Sequence, residues 1–255
     1  MGAVTTVKRP APLQKLAKER DGGHHGQVQL FIVPRGEPLP PFGRRAAECV
    51  IGTSSLAAYQ RRTATSLRFP FHHADLEKEL EGPCLVLADD VFVTRRALRG
   101  FYAQARKSPA PCRLYLPPSR LLQLFLPLQD VPVDNGRAAF EVAWLPAGVR
   151  ASAASLFSLP ASSWLAPPYR ELPLEVPLPR HLLGLGDEPF TFPLTSTIAL
   201  RVRHWVHLLR VGHLMPQVEL LERAEDRPLA SIWNALLALR LSRPALRHGL
   251  AKQFT

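Results

Sequence analysis

Short apolar runs alternate with amphipathic segments along this chain, and this pattern predicts an α/β fold. The apolar runs at residues 28–33 and 84–88 are predicted to be strands. The second run is unbroken and ends in a turn signal, which is typical of a strand buried on both faces of a sheet. Further strands are predicted at 112–116, 138–145 and 172–176.

Apolar residues at helical spacing occur between and after these strands. They predict helices over residues 56–65, 74–80, 95–106, 119–126, 197–214 and 228–241. Ser54 or Ser55 is expected to cap the first helix and Thr94 the third, because a hydroxyl can accept a hydrogen bond from the first turn. Asp134-Asn135-Gly136 predicts the tight turn of a β-hairpin.

The pattern divides the chain into three parts. Residues 1–26 are expected to form a flexible basic leader, because charged residues and a Gly-rich stretch replace any apolar centre. Residues 27–200 are predicted to form one α/β domain with three layers around a mostly parallel sheet. Residues 201–255 are predicted to be a basic, amphipathic, helical extension.

The charge of the chain narrows the classes of partner. The formal net charge is +11, which suits ligands that carry phosphate, such as nucleotides, sugar phosphates, nucleic acid or anionic lipid. The sequence contains no helix-turn-helix, zinc-knuckle or aromatic-basic RNA signature, and this argues against nucleic acid. Three cysteines without a C-x-x-C pair, no secretory signal and no apolar span predict a cytoplasmic protein, with peripheral membrane contact left open.

Two adjacent carboxylates are the strongest candidate for chemistry. Asp89 and Asp90 follow directly on the buried run at 84–88. In open α/β sheets the ligand crevice lies beyond the carboxyl ends of the strands, so this pair is predicted to face a metal or a phosphate ligand. In the alternative interpretation the pair only forms a turn or caps the next helix, with Arg95 and Arg96 as its ion-pair partners.

Other reactive side chains lack the neighbouring residues that their chemistry needs. His204 and His207 have no carboxylate or cysteine at a useful spacing, so an amphipathic helix is favoured over a zinc site. Cys84 has no assignable activating base. The serines occur without a G-x-S-x-G elbow, which leaves a hydrolase triad unsupported.

Residues 27–106 resemble the N-terminal half of the sugar nucleotidyltransferases, which join a sugar 1-phosphate to a nucleoside triphosphate. The matching segments are Val28 to Val33, Pro41-Phe42-Gly43-Arg44-Arg45, Gly52-Thr53-Ser54 with the helix after it, and Leu85-Val86-Leu87-Ala88-Asp89. The resemblance implies a nucleotide-diphospho-sugar transferase-like fold. It also implies Mg²⁺ held by the catalytic Asp89 and Asp90, phosphates bound by Arg35, Arg44 and Arg45, and a nucleotide-site turn at Gly52, Thr53 and Ser54.

The chain departs from this family at the loop that binds the triphosphate. Prolines at 34, 38, 40 and 41 have no N–H to donate, and Glu37 adds negative charge. Ala46 and Ala47 stand where the family has a lysine. The resemblance therefore implies a catalytically degenerate nucleotidyltransferase-like protein of bacterial sugar-nucleotide or envelope polysaccharide metabolism.

A second functional hypothesis is a non-catalytic scaffold. Basic amphipathic helices that carry tryptophan can lie on anionic membranes, and the same pattern also packs on a sheet or a partner subunit. The protein partner could be a left-handed β-helix acyltransferase, which often follows a nucleotidyltransferase-like module. The expected contact residues are Arg201, Arg203, Trp205, Arg210 and Trp233.

Overall fold

The structure is a computed structural model that describes residues 28–35, 37–176 and 190–226. These residues form a mixed α/β fold. The strands are β1 (Gln29–Val33), β2 (Pro38–Leu39), β3 (Arg44–Arg45), β4 (Val50–Ile51), β5 (Ser54–Ser55), β6 (Phe71–His73), β7 (Glu79–Glu81), β8 (Cys84–Ala88), β9 (Val91–Val93), β10 (Cys112–Leu116), β11 (Val133–Asp134), β12 (Arg137–Leu145), β13 (Arg150–Ser152), β14 (Trp164–Leu165), β15 (Leu172–Val176), β16 (Phe190–Leu194) and β17 (Ala199–Arg201). The helices are α1 (Leu56–Ser66), α2 (Arg95–Ala105), α3 (Arg120–Phe125), α4 (Ala153–Phe157) and α5 (Trp205–Asp226).

A mostly parallel sheet forms the centre of the fold. Its strand order is β14-β10-β12-β8-β1-β6, and β11 is added to β12 by a hairpin. The strand β1 runs parallel to β6 and β8, and β10 runs parallel to β14. Only β12 on this path runs antiparallel to its neighbours β8 and β10. The predicted α/β class with a mostly parallel sheet is therefore confirmed.

The strand β8 lies inside this sheet. All five of its residues are buried, and it pairs with β1 on one side and with β12 on the other. An apolar run without polar interruption needs cover on both faces, which an interior strand provides. The prediction of a strand buried on both faces is confirmed, although one neighbour is antiparallel.

The order of the strands places a crevice at the ends of β1 and β8. The chain leaves β1 towards β6 at one edge of the sheet, and it leaves β8 towards β10 on the other side. The carboxyl ends of the two strands are level, because Val33 pairs with Ala88. Connections that diverge in this way open a crevice at the carboxyl ends, where ligands of open α/β sheets bind.

The helix α5 belongs to the packed body. The residues Val211, Leu214, Met215 and Val218 of α5 are buried in a cluster that also contains Phe92 of β9. The strand β17 joins the same region by pairing with β9. Residues 202–218 thus contribute to the core that supports the Asp89-Asp90 turn.

The predicted caps and the predicted hairpin turn are confirmed. The Ser55 hydroxyl accepts the N–H of Ala58 at 3.2 Å, and the Thr94 hydroxyl accepts the N–H of Ala97 at 3.4 Å. Asn135 and Gly136 have φ values of 49° and 74° between β11 and β12. Two positive φ values match the right-handed twist of the strands that the turn connects.

Two predicted helices are wrong. The segment 74–80 leads into β7, where Leu80 is buried between the exposed Glu79 and Glu81, because strand pairing with β13 gives a period of two. The helix predicted from residue 197 begins only at Trp205, because residues 199–201 pair with β9. The predicted leader 1–26 and the predicted helix 228–241 lie outside the described residues.

In the part of the chain that the structure describes, no helix is both long enough and apolar enough to cross a membrane.

Candidate functional site

Two clefts meet at the carboxyl ends of β1 and β8. The first, called here the hairpin cleft, has a volume of about 220 Å³ and is lined by the β2–β3 hairpin, by Asp89 and Asp90 and by residues 202 and 203. The second, called here the strand cleft, has a volume of about 370 Å³ and is lined by residues of β1, β6 and α1. Arg45 and Asp89 line both clefts, so they lie at the junction.

Asp89 is held in place by the loop that follows β1. Its backbone N–H donates to Val33 O at 3.0 Å, and its Oδ1 accepts the N–H of Arg35 at 2.8 Å. Burial raises the pKa of the Asp89 carboxyl, the Arg35 N–H opposes this shift, and the charge of Asp90 adds to it. The side chain therefore lies at the cleft junction as a positioned hydrogen-bond acceptor.

Asp90 also lines the hairpin cleft, but its carboxylate is buried and pairs with an arginine distant in sequence. Its Oδ2 accepts from Nε of Arg201 at 3.0 Å. Its Oδ1 is buried and has no hydrogen-bond partner among the described residues. Arg95, which the turn interpretation paired with these carboxylates, donates its backbone N–H to Oε1 of Glu222 at 3.0 Å and its Nη2 to the carbonyl oxygen of Glu222 at 2.9 Å.

The Asp90–Arg201 pair is part of a buried network of four charges. Nη1 of Arg201 lies 3.1 Å from Oε1 of Glu141, and Nη2 of Arg113 lies 3.5 Å from the same oxygen. The four side chains are at most 8% exposed. Two carboxylates and two guanidinium groups balance, and this pairing is what makes burial of the charges tolerable. Although burial lowers it, Asp90 and Glu141 hold the pKa of Arg201 above its usual value.

Gln60 of α1 fixes the backbone of the acidic turn. Its Nε2 lies 3.1, 3.4 and 2.8 Å from the carbonyl oxygens of Ala88, Asp89 and Val91. The side chain is only 2% exposed. These carbonyls would otherwise be buried acceptors at the point where β8 ends and β9 begins, so Gln60 stabilises the turn that presents Asp89.

The structure brings some of the predicted phosphate-binding residues to the clefts and not others. Arg35 and Arg45 line the hairpin cleft together with Asp89. Arg44 instead lines a separate groove of about 410 Å³ near Leu208. Gly52, between Thr53 and the end of β4, packs against Met215 of α5 and lines neither cleft.

The residues predicted to form a partner surface also lie in different environments. Arg201 is 3% exposed, so its prediction as a surface contact is wrong; its pairing with two buried carboxylates is the reason. Arg203 lines the hairpin cleft and pairs with Glu37. Arg210 donates to the carbonyl oxygens of Phe125 and Pro127. Trp205 is 41% exposed on α5. Trp233 lies outside the described residues.

The acid pair does not fit the two-carboxylate Mg²⁺ site that the resemblance implies. One oxygen of Asp90 accepts from Arg201, and the other is enclosed. One oxygen of Asp89 accepts from Arg35, which leaves a single carboxylate oxygen for a cation. Across the described ranges, no three His, Cys, Asp or Glu side chains form a group that could hold a metal.

Sequence reasoning missed Gln60, Arg113 and Glu141. The two charged residues did carry a signal, because each stands alone inside an apolar strand, β10 or β12. A charged residue at a buried strand position needs a charged partner, so the two together indicate an internal ion pair. Gln60 carried no comparable signal in a helix with other polar residues.

Comparison of the chain with protein-family models, with curated proteins and with solved structures finds no match.

Proposed function

We propose that this chain is a sugar-phosphate nucleotidyltransferase-like protein with degenerate transfer chemistry, which binds a phosphate-bearing ligand at the junction of its two clefts. The observation that carries this proposal is the position of Asp89, which lines the hairpin cleft together with Arg35 and Arg45 where the connections from β1 and β8 diverge. Ligands of open α/β sheets bind at this position. The proposed context is bacterial sugar-nucleotide or envelope polysaccharide metabolism.

The charge and size of the clefts support a phosphate ligand. Arg35, Arg45 and Arg203 line the hairpin cleft. A guanidinium group presents several N–H donors in a planar fork that matches two oxygens of a phosphate. The strand cleft, at about 370 Å³, lies within the range of roughly 300–1,000 Å³ that small-molecule sites occupy. Phe71 and His73 add aromatic surface to that cleft, which suits a flat ring attached to the phosphates.

The same residues support a degenerate reaction. Transfer by this family type is an in-line attack of a sugar phosphate on a nucleotide phosphorus, and it depends on positioning and on neutralising the departing pyrophosphate. Pro38 and Pro40 line the hairpin cleft where backbone N–H donors would be needed, and Glu37 lines it as well. Asp90 is engaged inside the protein. The residues needed to bind a phosphate-bearing ligand are therefore more completely present than the residues needed to catalyse the transfer.

Thermal-shift measurements against nucleoside triphosphates and sugar nucleotides test this proposal. At 100 times its Kd a ligand stabilises the folded protein by about 2.7 kcal/mol, which is a readily measured shift. We expect at least one member of the panel to stabilise the wild type and to stabilise the Arg45→Ala variant less. The Arg150→Ala variant is the control, because Arg150 pairs with Glu81 on the surface. No shift with any member of the panel would contradict the proposal.

A scaffold is the second candidate, and one observation favours it. Trp205 and Leu209 on α5 are 41% and 54% exposed. Phe42 and Val50, which line the same groove as Arg44, are 55% and 67% exposed. Large apolar side chains exposed together mark contact surfaces for other proteins. The absence of a thermal shift with every member of the nucleotide panel would favour this candidate over the first.

A further inference from the structure

We infer that the cleft junction binds phosphate-bearing ligands without a divalent cation, because Arg201 supplies from inside the protein the positive charge that a metal would otherwise bring to the acid pair. The inference deepens the proposed function and rests on it. It concerns the diphosphate part of a nucleotide or sugar nucleotide.

A metal ion at this site would have to reach the carboxylate of Asp90. Its Oδ2 accepts from Nε of Arg201, and its Oδ1 has almost no contact with solvent. A cation that entered the hairpin cleft would have to displace the guanidinium group to reach Oδ2, and it would have to open the enclosed pocket of Oδ1 to reach that oxygen. Since the pair is buried at 3% and 8% exposure, displacement would leave a buried charge without its partner, and such an exchange is strongly unfavourable.

Arg201 is held in place by several contacts. Its backbone N–H donates to Oε1 of Gln129 at 3.0 Å, and its Nη1 donates to the carbonyl oxygen of Asp130 at 2.7 Å. Its Nη1 also contacts Glu141. The guanidinium group is thus fixed from several sides, and it is a permanent part of the site, whereas a metal ion would exchange with solvent.

Most of the charges around the cleft junction are paired with opposite charges. Asp90, Arg201, Glu141 and Arg113 neutralise one another inside the protein. Glu37 and Arg203 form a second neutral pair at the rim. Among the residues that the structure describes, the remaining charges that line the hairpin cleft are those of Arg35, Arg45 and Asp89, and their sum is positive. A site of this sign attracts a phosphate directly and gives a dication little reason to bind.

Isothermal titration of the full chain with pyrophosphate tests the inference, once in EDTA and once in excess MgCl₂. We expect binding in EDTA to be as tight as in MgCl₂ or tighter, because Mg²⁺ that associates with free pyrophosphate lowers the charge of the ligand. Binding that is more than about tenfold tighter with Mg²⁺, equivalent to about 1.4 kcal/mol, would overturn the inference and leave the proposed function standing. No binding under either condition would overturn the proposed function, and this inference with it.

The Asp89→Asn variant separates the two accounts by the sign of its effect. Asparagine keeps an Oδ1 that can accept the Arg35 N–H, so the loop stays anchored. Without a metal, Asp89 only repels the ligand, and its removal is expected to tighten pyrophosphate binding in EDTA by about threefold or more. If Asp89 held a metal for the ligand, the same variant would bind pyrophosphate more weakly. The control is Asp134→Asn, a carboxylate paired with Arg137 in the β11–β12 turn, which is expected to bind like the wild type.

Discussion

Replacing Arg201 with methionine is expected to lower the free energy of unfolding by about 3–5 kcal/mol. The guanidinium group contacts both Asp90 and Glu141, and all three side chains are at most 8% exposed. Methionine fills part of the volume but leaves two buried carboxylates without their shared partner. Equilibrium unfolding in urea, with the wild type measured in parallel, gives the difference directly.

The matched control is Arg150→Met. Arg150 also pairs with a carboxylate, Oε2 of Glu81 at 3.1 Å, but the two side chains are 68% and 64% exposed. Exposed pairs of this kind contribute about 0–1 kcal/mol. A loss of less than about 1 kcal/mol in Arg201→Met, close to that of the control, would contradict the role of Arg201 as the centre of the buried network.

Mild acid is expected to destabilise the protein through His207. This side chain is fully buried at the start of α5, and its Nδ1 accepts the backbone N–H groups of Arg203 and His204 at 3.1 and 3.2 Å. An acceptor nitrogen must be unprotonated, so the folded protein holds the imidazole neutral. Burial lowers the pKa of His207 to about 4, and the charges of Arg210 and His204 act in the same direction.

The sign of the effect follows from the two pKa values. Below an unfolded pKa of about 6.5, the unfolded chain takes up a proton at His207, and the folded protein takes one up only near pH 4. The contribution is therefore intact above pH 6.5 and is lost as the pH falls towards 4, by about 3 kcal/mol in all. Burial raises the pKa of Asp89 and Glu141, which opposes this trend.

A comparison with His207→Asn isolates the histidine from these carboxylates. Asparagine offers an acceptor oxygen and does not titrate, so the variant is expected to lose less stability than the wild type between neutral pH and pH 4.5. Urea unfolding at the two pH values measures both losses. Equal losses in the two proteins would show that His207 does not hold a depressed pKa.

The centre of the fold could be predicted from the sequence because its signals are local. The run 84–88 has no polar residue, so only an interior strand suits it, and the acids that follow must lie at the end of that strand. The helix caps and the hairpin turn could be predicted for the same reason, because each involves residues at most four positions apart: Ser55, Thr94 and the Asn135-Gly136 turn. The nucleotidyltransferase resemblance remains a prediction.

The partners of the site could not be predicted, because they are distant in sequence. Arg201 pairs with Asp90 across 111 positions. Its segment also has apolar residues at a spacing that predicts a helix, and the pairing of β17 with β9 overrides that local preference. Neighbouring residues diverge as well: Arg44 and Arg45 are adjacent in β3 and line different cavities, as successive side chains of a strand point to opposite sides.

A crystal structure of the protein with a bound nucleoside diphosphate would test the central claim most directly. We expect the diphosphate to bind between Arg35 and Arg45, next to Asp89 and without a metal ion, while Arg201 stays paired with Asp90. Diphosphate bound instead among Arg62, Arg95 and Arg223, in the cavity between α1, α2 and α5, would contradict it.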